Sequence, residues 1–424
     1  MKVNIKNVSE LIDLPFESIS EDEYWNYSES KELKMHKIHI YPAKFPALIA
    51  QKAFQYAISE GMQLNAVGDV FCGCGTVALE SKVHEIDFWG TDINPVAALI
   101  SYAKTIDFNI LEFEKRYKRI IYTYNLNKFE CASYNSRLLY WHDTITYHKL
   151  NNLLESIREV NVNGKYRKVF YMLFSSILKS ASKWLSSSIK PQVDPDKDII
   201  DPIKLFDQQI IKFVKAYNEI SRLTPIKKNT TILNTNILRV RKKGFLDAII
   251  TSPPYVTSYE YADLHQLSSL WLEYAENFTD LRKNSIGSLY HQNRYDYSKK
   301  MTGMSKHIVN QLDFDKRKKN MISRYYHDMK LVVDKCWNLL HDKGFVLFVI
   351  GNTEYKGVEI LNAESLAEMM VQRGFIITEI SKRKISSKFL PSHRDINGKF
   401  TSDKQNSRKI YSQEYIIIGK KGGE

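Results

Sequence analysis

Short apolar runs alternate with helical patterns in the first hundred residues of the chain. The run at 66–71 leads into a turn with two glycines, residues 76–84 have the spacing of a helix, and a second apolar run at 88–92 ends in an acid. A strand, a glycine turn, a helix and a second strand form a βαβ unit, whose strands are parallel. The pattern therefore predicts an α/β fold with a Rossmann-like, doubly wound sheet.

The strand pattern returns in the second half of the chain. Apolar runs at 231–233, 246–250, 344–350 and 415–418 predict four more strands of the same sheet. Between the two halves, residues 103–224 have mostly helical patterns, which predict a helical insertion. The sheet strands before and after it belong to one core.

These patterns predict the organisation of the whole chain. A cofactor half and a catalytic half together form the core, and the helical insertion separates them. The predicted bounds are 1–35 for an irregular lead-in, 36–102 and 225–424 for the core, 103–224 for the insertion, and about 278–320 for a polar excursion within the second half.

The charge of the chain favours a polyanionic partner. Among 424 residues, 61 Lys and Arg outnumber 48 Asp and Glu, for a formal net charge of +13. Each phosphate that a basic side chain neutralises releases condensed counterions, so a basic protein gains affinity for nucleic acid. A positive net charge can also have no role beyond keeping a protein soluble, so the charge by itself does not assign a partner.

Cysteine usage and hydropathy set the expected location. The four cysteines show no paired CxxC or His/Cys ligand spacing, so the sequence predicts neither a zinc site nor a disulfide framework. The nearby His36 and His39 lack further ligands for a metal. No signal-peptide core or membrane-spanning run is present, which predicts a cytoplasmic, reducing location.

The glycine turn, residues 71–75, is the first candidate for chemistry. Gly73 and Gly75 let the backbone turn sharply at the carboxyl end of a strand, where open α/β sheets bind ligands. Asp92 ends the next strand and can accept hydrogen bonds from two ribose hydroxyls. This arrangement suits any adenosine-containing cofactor, and it also fits the dinucleotide site of an NAD-dependent oxidoreductase.

The Ser-Pro-Pro-Tyr turn, residues 252–255, is the second candidate. Two consecutive prolines stiffen the chain after a buried strand, so the Ser252 hydroxyl and the Pro253 carbonyl point outward as fixed acceptors. Two hydrogen bonds from an aromatic amine to such oxygens favour a pyramidal nitrogen with an available lone pair. Tyr255 adds a flat face on which an unstacked base can rest.

Together these turns resemble the SPPY-type amino-methyltransferases of DNA, many of which belong to bacterial restriction–modification systems. The resemblance covers roughly residues 35–102 and 230–424 and leaves most of 103–224 unmatched. It implies a methyltransferase sheet, S-adenosylmethionine as the cofactor, double-stranded DNA as the substrate and a cognate restriction endonuclease as a partner.

The resemblance also implies roles for individual residues. The catalytic positions are Ser252, Pro253, Pro254 and Tyr255. The cofactor-binding positions are Tyr41, Pro42, Phe45, Asp69, Phe71, Gly73, Gly75, Thr76, Asp92 and Asn236. In the family an acid often stands where this chain has Asn236, so the amide oxygen would have to accept the bond from the adenine amine.

The same resemblance bears on which base is modified. Family members acting on cytosine N4 usually carry Ser at the position of Ser252, whereas those acting on adenine N6 usually carry Asp or Asn. This favours cytosine N4, although the order of the motifs is the less common one for cytosine enzymes. An adenine-N6 enzyme and a non-catalytic DNA-binding protein are the remaining alternatives.

Three other residues have possible roles in binding the base or the DNA. Tyr259 could line a pocket for the extruded base, and Arg394 with Lys399 could contact DNA phosphates or lie on a solvent-exposed loop. His265, in the same stretch as Tyr259, has no assigned role. The apolar residues that follow it have the spacing of a helix core.

Overall fold

The protein is described from a computed structural model of the whole chain. The described residues are 1–26, 31–42, 44, 46–129, 134–162, 164–224, 227–256, 261–283, 285–288, 297–301, 303–385, 393–394, 400–401, 403, 408–409 and 413–422. Phe45, Tyr259 and Lys399, all singled out from the sequence, lie outside these residues.

The described residues form thirteen strands. In chain order they are β1 Lys2–Ile5, β2 Ala66–Asp69, β3 Asp87–Asp92, β4 Thr230–Asn234, β5 Leu246–Thr251, β6 Leu340–Ile350, β7 Thr353–Tyr355, β8 Val358–Ile360, β9 Phe375–Lys384, β10 His393–Arg394, β11 Phe400–Thr401, β12 Arg408–Lys409 and β13 Gln413–Lys421.

The described residues also form fourteen α-helices and six short 3₁₀ helices. The α-helices are α1 Val8–Ile12, α2 Ala47–Ser59, α3 Thr76–Val83, α4 Pro95–Thr105, α5 Ile110–Asn125, α6 Ser136–Trp141, α7 Thr144–Val160, α8 Lys165–Ile177, α9 Pro202–Leu223, α10 Tyr261–Leu264, α11 Gln266–Trp271, α12 Gly303–Asn310, α13 Lys316–Leu339 and α14 Asn362–Arg373. The 3₁₀ helices are Phe16–Ser18, Glu23–Trp25, Lys34–Lys37, Ile237–Arg239, Phe278–Arg282 and Tyr297–Lys300.

Eight strands form the central sheet, in the order β1-β9-β13-β6-β5-β2-β3-β4. Strands β4, β3, β2, β5 and β6 are parallel, and β13 runs antiparallel between β6 and β9. Counted from β2, the order is 3-2-1-4-5-7-6, a doubly wound sheet with an antiparallel seventh strand. The predicted Rossmann-like methyltransferase fold is confirmed.

The sheet has one point where the strand order reverses. The chain goes from β2 outward to β3, passes through the insertion to β4, and returns through residues 235–245 to β5, from which it continues outward to β6. Ligands of doubly wound sheets bind at this switch point, outside the carboxyl ends of the strands. Here the switch point lies between β2 and β5, the strands that end in the glycine turn and in the Ser-Pro-Pro-Tyr turn.

Alternating side chains of the central strands fill two separate cores. Ala248 and Ile250 of β5 pack with α2 and α3 on one face of the sheet, whereas Leu246 and Ile249 pack with α13 and α14 on the other. Because both faces are covered, the central strands are apolar at nearly every position. That is why they are visible in the sequence as continuous apolar runs.

The helical insertion has its own core. The elements described between residues 106 and 224 are the helices α5 to α9, and their apolar faces share a third cluster with α4 and α11. Phe113 of α5 stacks on Phe170 of α8, with ring centroids 4.6 Å apart and planes 8° from parallel. Trp141 of α6 donates from Nε1 to Gln266 of α11 at 3.1 Å, which joins the insertion to the segment after β5.

Two regions are more ordered than the sequence pattern indicates. Part of the predicted irregular lead-in forms β1, which pairs antiparallel with β9 and closes that edge of the sheet. The span predicted as a polar excursion contains α12 and the first turn of α13. Both helices bury one side, including Ile308 and Ile322, so their apolar spacing is hidden among many polar residues.

No described helix is long and apolar enough to cross a membrane.

Candidate active site

The glycine turn depends on a left-handed residue at the start of α3. Gly75 has φ of 77° and occupies the N-cap position of that helix. A Cβ built on Gly75 would lie 2.8 Å from Cα of Ser101 in α4, which is closer than real Cβ atoms approach. Gly75 is therefore required twice, by its backbone conformation and by the close packing of α3 on α4.

Alanine at Gly75 is expected to lower the free energy of unfolding by about 2–5 kcal/mol, because left-handed strain adds to the clash with Ser101. Gly61→Ala is the matched control, since Gly61 has φ of 70° but nothing within 4 Å of its built Cβ. Gly61→Ala should lower the free energy of unfolding by only about 1 kcal/mol. Urea unfolding of both variants measures the difference, and equal losses would show that the clash is relieved at no cost.

Gly73 and Tyr41 lie against each other. Gly73 has φ of 48°, and a Cβ built there would lie 3.5 Å from the Tyr41 ring, in ordinary contact. The aromatic ring therefore flanks the glycine turn and leaves the width of about one methyl group between the two. Tyr41 and the next residue, Pro42, are half-buried. Two further predicted cofactor positions are half-buried Phe71, which begins the turn, and buried Thr76, the first residue of α3.

Asp92 lies at the carboxyl end of β3 and is tied to the glycine turn. Its Oδ2 accepts the Gly73 backbone N–H at 2.8 Å, and its Oδ1 accepts the Asn94 backbone N–H at 2.8 Å. Burial raises the pKa of Asp92 to about 6, so the carboxylate is ionised at neutral pH. Each oxygen keeps a second lone pair for a ligand hydroxyl.

Asp69 connects the two turns. This buried side chain ends β2, and its Oδ1 accepts the Phe71 backbone N–H at 3.0 Å and the Thr251 hydroxyl at 2.6 Å. Thr251 ends β5, directly before the Ser-Pro-Pro-Tyr turn. Burial raises the pKa of Asp69 to about 7. The bond holds the carboxyl ends of β2 and β5 together, so the two turns leave the sheet side by side.

The Ser-Pro-Pro-Tyr turn has two oxygen atoms that can accept hydrogen bonds. Among the described residues, neither the Ser252 hydroxyl nor the Pro253 carbonyl makes a hydrogen bond within the protein. Ser252 and Pro254 are half-buried, and Pro253 is buried. Both oxygens are therefore available to a donor from outside the chain.

Tyr255 is held at its ring and at its hydroxyl. The hydroxyl donates to Glu414 at the start of β13 at 2.9 Å, and one edge of the ring lies against Gly351, whose built Cβ would approach it to 3.1 Å. Glu414 in turn pairs with the buried Arg383 of β9 at 2.8 Å. A glycine at 351 therefore leaves room for the edge of the Tyr255 ring beside the end of β6.

Asn236 lies just beyond β4, at the same edge of the sheet as Asp92. Its side-chain oxygen accepts the Leu238 backbone N–H at 2.9 Å and caps a short 3₁₀ helix. One lone pair of that oxygen is thus used by the protein. The predicted bond to a cofactor adenine would have to use the other, and it stays a prediction.

Sequence reasoning missed several residues that complete the site. Glu414 and Arg383 brace Tyr255 from strands far along the chain, and nothing near them in the sequence marks this role. Thr251 was detectable, because it is a polar residue that ends an apolar run directly before the motif. Asn94 was detectable as an N-cap before Pro95.

The two histidines near residue 40 are partnered within the protein. His36 Nε2 lies 2.6 Å from Glu80 Oε1 in a buried pair, and His39 bonds Ser175 at 2.9 Å. Burial lowers the pKa of both histidines. They therefore contribute to packing beneath the glycine turn. Lys44, beside them, pairs with Glu32 at 2.6 Å.

Comparison with known proteins supports the same kind of chemistry. No family model matches the chain. The Type II methyltransferase M.MvaI of Kocuria varians is 22% identical over 398 residues, covering 86% of this chain and 87% of that protein. The chain is similar to Type II methyltransferases. A second relative, M.BsoBI of Geobacillus stearothermophilus, is 22% identical and covers 82% of this chain and 79% of its own.

Other matches are shorter or weaker. M.AvaI of Anabaena variabilis, also a Type II methyltransferase, is 23% identical over 54% of this chain and 50% of its own. Among solved structures, an rRNA methyltransferase of Streptomyces viridochromogenes aligns with a TM-score of 0.29 and 7% identity over 92% of this chain and 90% of that chain. That score is too low to carry an argument. With the sheet order, the methyltransferase relatives confirm S-adenosylmethionine as the expected cofactor.

Proposed function

We propose that the protein is an S-adenosylmethionine-dependent DNA methyltransferase that modifies the exocyclic N4 amino group of cytosine within a specific duplex sequence. The main support for this proposal is a hydrogen bond between the ends of two strands. The Asp69–Thr251 hydrogen bond of 2.6 Å joins the ends of β2 and β5, so the glycine turn and the Ser-Pro-Pro-Tyr turn meet at the switch point of the sheet. A methyl donor and an amine acceptor bound at these two turns would be neighbours.

The cofactor half of the site fits S-adenosylmethionine. Asp92 offers two ionised oxygens to ribose hydroxyls, and the glycine turn lets the backbone approach a ligand with no side chain between. Tyr41 covers one side of the turn, where a bound methionine chain would lie. When bound, this cofactor supplies an electrophilic methyl group on a sulfonium centre.

The catalytic half provides acceptors for an amine. The free oxygens of Ser252 and Pro253 accept the two N–H groups of cytosine N4, which draws the nitrogen lone pair out of conjugation with the ring. Because the amine of a paired base lies inside the duplex, the base must first be extruded. Tyr255, held by Glu414 and Gly351, gives that base a rigid stacking surface.

The transfer itself needs no covalent enzyme intermediate. The N4 nitrogen attacks the methyl carbon, a C–N bond forms, the C–S bond breaks with its electron pair passing to sulfur, and the surplus N4 proton leaves to water. The protein contributes positioning and exclusion of water, which together account for large rate enhancements when reacting atoms are aligned.

The choice of cytosine over adenine depends on Ser252, and an enzyme acting on adenine N6 is the alternative. Purified protein incubated with duplex DNA and S-adenosylmethionine carrying a labelled methyl group tests the proposal. After digestion to nucleosides, chromatography should show the label in N4-methylcytosine. Label in N6-methyladenine would support the alternative, and no transfer to DNA of varied sequence would contradict the proposed reaction.

A basic segment beside the site supports duplex DNA as the substrate. The connection from β9 to β13, residues 385–412, begins and ends at the carboxyl edge of the sheet, next to the Arg383–Glu414 pair that holds Tyr255. Its charged residues are Lys388, Arg394, Asp395, Lys399, Asp403, Lys404, Arg408 and Lys409. Arg394 of β10 and Arg408 of β12 occupy directly opposed positions.

Glutamine at Arg394, Arg408 and Lys409 together is expected to weaken DNA binding and to reduce its salt dependence. Each lost phosphate contact lowers the slope of log affinity against log salt by about 0.9, so the triple variant should lose about 2–3 from the slope. Fluorescence anisotropy at several salt concentrations measures it. Lys204, Lys212 and Lys215, exposed on α9, give a control triple of equal charge. Equal slopes for the two triples would refute a local contact at β10–β12.

A further inference from the structure

His265 is a buried residue at the boundary between the two halves of the site. It follows α10 and directly precedes α11, and its side chain is 4% exposed. Its ring centroid lies 5.0 Å from that of Tyr41, with the planes 33° apart. His265 therefore lies on the chain that continues from the Ser-Pro-Pro-Tyr turn, yet it packs on the aromatic residue that flanks the glycine turn.

The hydrogen bonds of Asn94 fix the position of the proton on His265. Asn94 Oδ1 accepts the Val96 backbone N–H at 3.0 Å, so its Nδ2 is the group that faces His265. Nδ2 donates to His265 Nδ1 at 2.8 Å. Because Nδ1 is an acceptor, the neutral ring carries its hydrogen on Nε2. Burial lowers the pKa of His265 to about 4, so the ring is neutral at physiological pH.

The Nε2–H of His265 has no hydrogen-bond acceptor in the described part of the chain, although the atom is buried. A buried donor left unpaired is costly, so such groups usually await a partner. The comparable histidine in the insertion, His142, has both nitrogens satisfied: Nδ1 lies 2.8 Å from the Ala181 carbonyl, and Trp271 donates to Nε2 at 3.3 Å. Among the described residues, the buried His36 also has an unpaired ring nitrogen, Nδ1, but its ring pairs with Glu80, whereas the ring of His265 packs on Tyr41.

The surroundings of His265 indicate what the partner is. Tyr41, which its ring contacts, also lies against Gly73, and Asn94, which it accepts from, donates its backbone N–H to Asp92. Of the positions assigned to the cofactor, Tyr41 thus contacts the imidazole directly, and Gly73 and Asp92 are each separated from it by one residue. An unpaired N–H donor at this place needs an acceptor oxygen, and the acceptor with the most negative charge in S-adenosylmethionine is its methionine carboxylate.

We propose that His265 is a cofactor-binding residue, whose Nε2–H donates a hydrogen bond to the methionine carboxylate of S-adenosylmethionine. The inference rests on the proposed function for the identity of the cofactor. It adds a contact from the segment after β5 to a cofactor site whose other predicted residues, apart from Asn236, lie in the first half of the core. The cofactor then bridges the segments that follow β2 and β5.

Calorimetric binding of two ligands tests the contact. S-adenosylhomocysteine has the carboxylate, whereas 5′-methylthioadenosine has the same adenosine without the amino-acid part. His265→Phe should weaken S-adenosylhomocysteine by about 10- to 100-fold, the effect of losing one hydrogen bond to a charged group. It should change the affinity for 5′-methylthioadenosine less than about threefold, because that ligand has no carboxylate to lose.

Two further variants separate this contact from general damage to the fold. His142→Phe removes a buried neutral histidine of similar surroundings and should leave both affinities unchanged. His265→Gln keeps a side-chain N–H donor and should recover part of the lost affinity for S-adenosylhomocysteine. Equal weakening of both ligands by His265→Phe, or no weakening of either, would overturn the proposal.

The same measurements keep the two proposals apart. If the wild-type protein binds both ligands with the expected His265 dependence but transfers no methyl group to DNA, the proposed reaction fails and the cofactor contact stands. If it methylates DNA while His265→Phe binds S-adenosylhomocysteine normally, the cofactor contact fails and the reaction stands.

Discussion

Alanine at both Ser252 and Tyr255 is expected to slow methyl transfer by at least about 1,000-fold while leaving affinity for S-adenosylhomocysteine within about threefold of the wild type. Losing an acceptor that stabilises the reacting group costs about 100- to 1,000-fold. Losing the stacking surface costs a further 1–3 kcal/mol for each base. Neither residue belongs to the group around Asp92 that is expected to hold the cofactor. Transfer of labelled methyl to DNA and calorimetry measure the two quantities.

Tyr255→Phe is the matched control for that double variant. It keeps the ring against Gly351 and removes only the 2.9 Å bond to Glu414, so its rate should fall no more than about tenfold. A double variant that transfers methyl groups at the wild-type rate would remove the Ser-Pro-Pro-Tyr turn from the mechanism. A Phe variant as slow as the double variant would instead make the phenol itself essential.

Asp92→Ala is expected to weaken S-adenosylhomocysteine binding by at least about 100-fold. The variant lacks the carboxylate, so the ligand would lose hydrogen bonds that are each worth about 1.5–3 kcal/mol when one partner is charged. The Gly73 and Asn94 backbone N–H groups, which Asp92 now holds at 2.8 Å, would also lose their acceptor. Both losses act on the same turn, so the effect should exceed that of one hydrogen bond. Calorimetry measures it.

Asp87 offers a control on the same strand. It stands at the opposite end of β3 and accepts the Asn229 backbone N–H at 2.8 Å, so Asp87→Ala removes a comparable bond far from the carboxyl edge. Cofactor affinity should be unchanged in that variant. If Asp87→Ala and Asp92→Ala weaken binding equally, Asp92 acts through the stability of β3 and not through the ligand.

The raised pKa of Asp92 adds a pH dependence to this prediction. Burial raises the pKa of Asp92 to about 6, above the ordinary value for Asp, because burial without a ligand destabilises the ionised carboxylate relative to the protonated form. Raising the pH through 6 should therefore lower the contribution of Asp92 to folding stability and increase its ability to accept ribose hydroxyls. Affinity of the wild type should fall as pH decreases from 7 to 5, and Asp92→Ala should lose that part of the dependence.

The sheet around the switch point was predictable because both faces of its strands are covered. Residues of β2, β3, β5 and β6 stand out in the sequence as apolar runs, and the glycine turn marks where the first of them ends. The glycines predict a turn at the same position where the apolar pattern predicts the end of a strand. Local sequence alone therefore located both turns of the candidate site.

Strand β9 was not predictable in the same way. It contains Glu379, Lys382 and Arg383, which resemble a solvated surface in the sequence although all three are buried. Their partners are distant in sequence: Trp25 donates to Glu379 at 2.9 Å, and Arg383 pairs with Glu414 at 2.8 Å. Because those partners are far along the chain, no local pattern reveals that the strand is buried.

The residues that brace the site were missed for the same reason. Glu414 meets Tyr255 across 159 positions of sequence, and Asn94 meets His265 across 171. Sequence patterns identify which residues can do chemistry at a turn. The fold decides which side chains hold them in place, and that information is present only in the pairing of β13 with β6 and of α11 with α4.

The central claim is that an amine acceptor site at the Ser-Pro-Pro-Tyr turn lies beside a methyl donor site at the glycine turn. Methylome sequencing of DNA from cells that express the wild type or the Ser252→Ala/Tyr255→Ala variant tests it most directly. The wild type should produce N4-methylcytosine at one recurring sequence, and the variant should produce none at equal protein level. Modification at the same sites and to the same extent with both proteins would contradict the account.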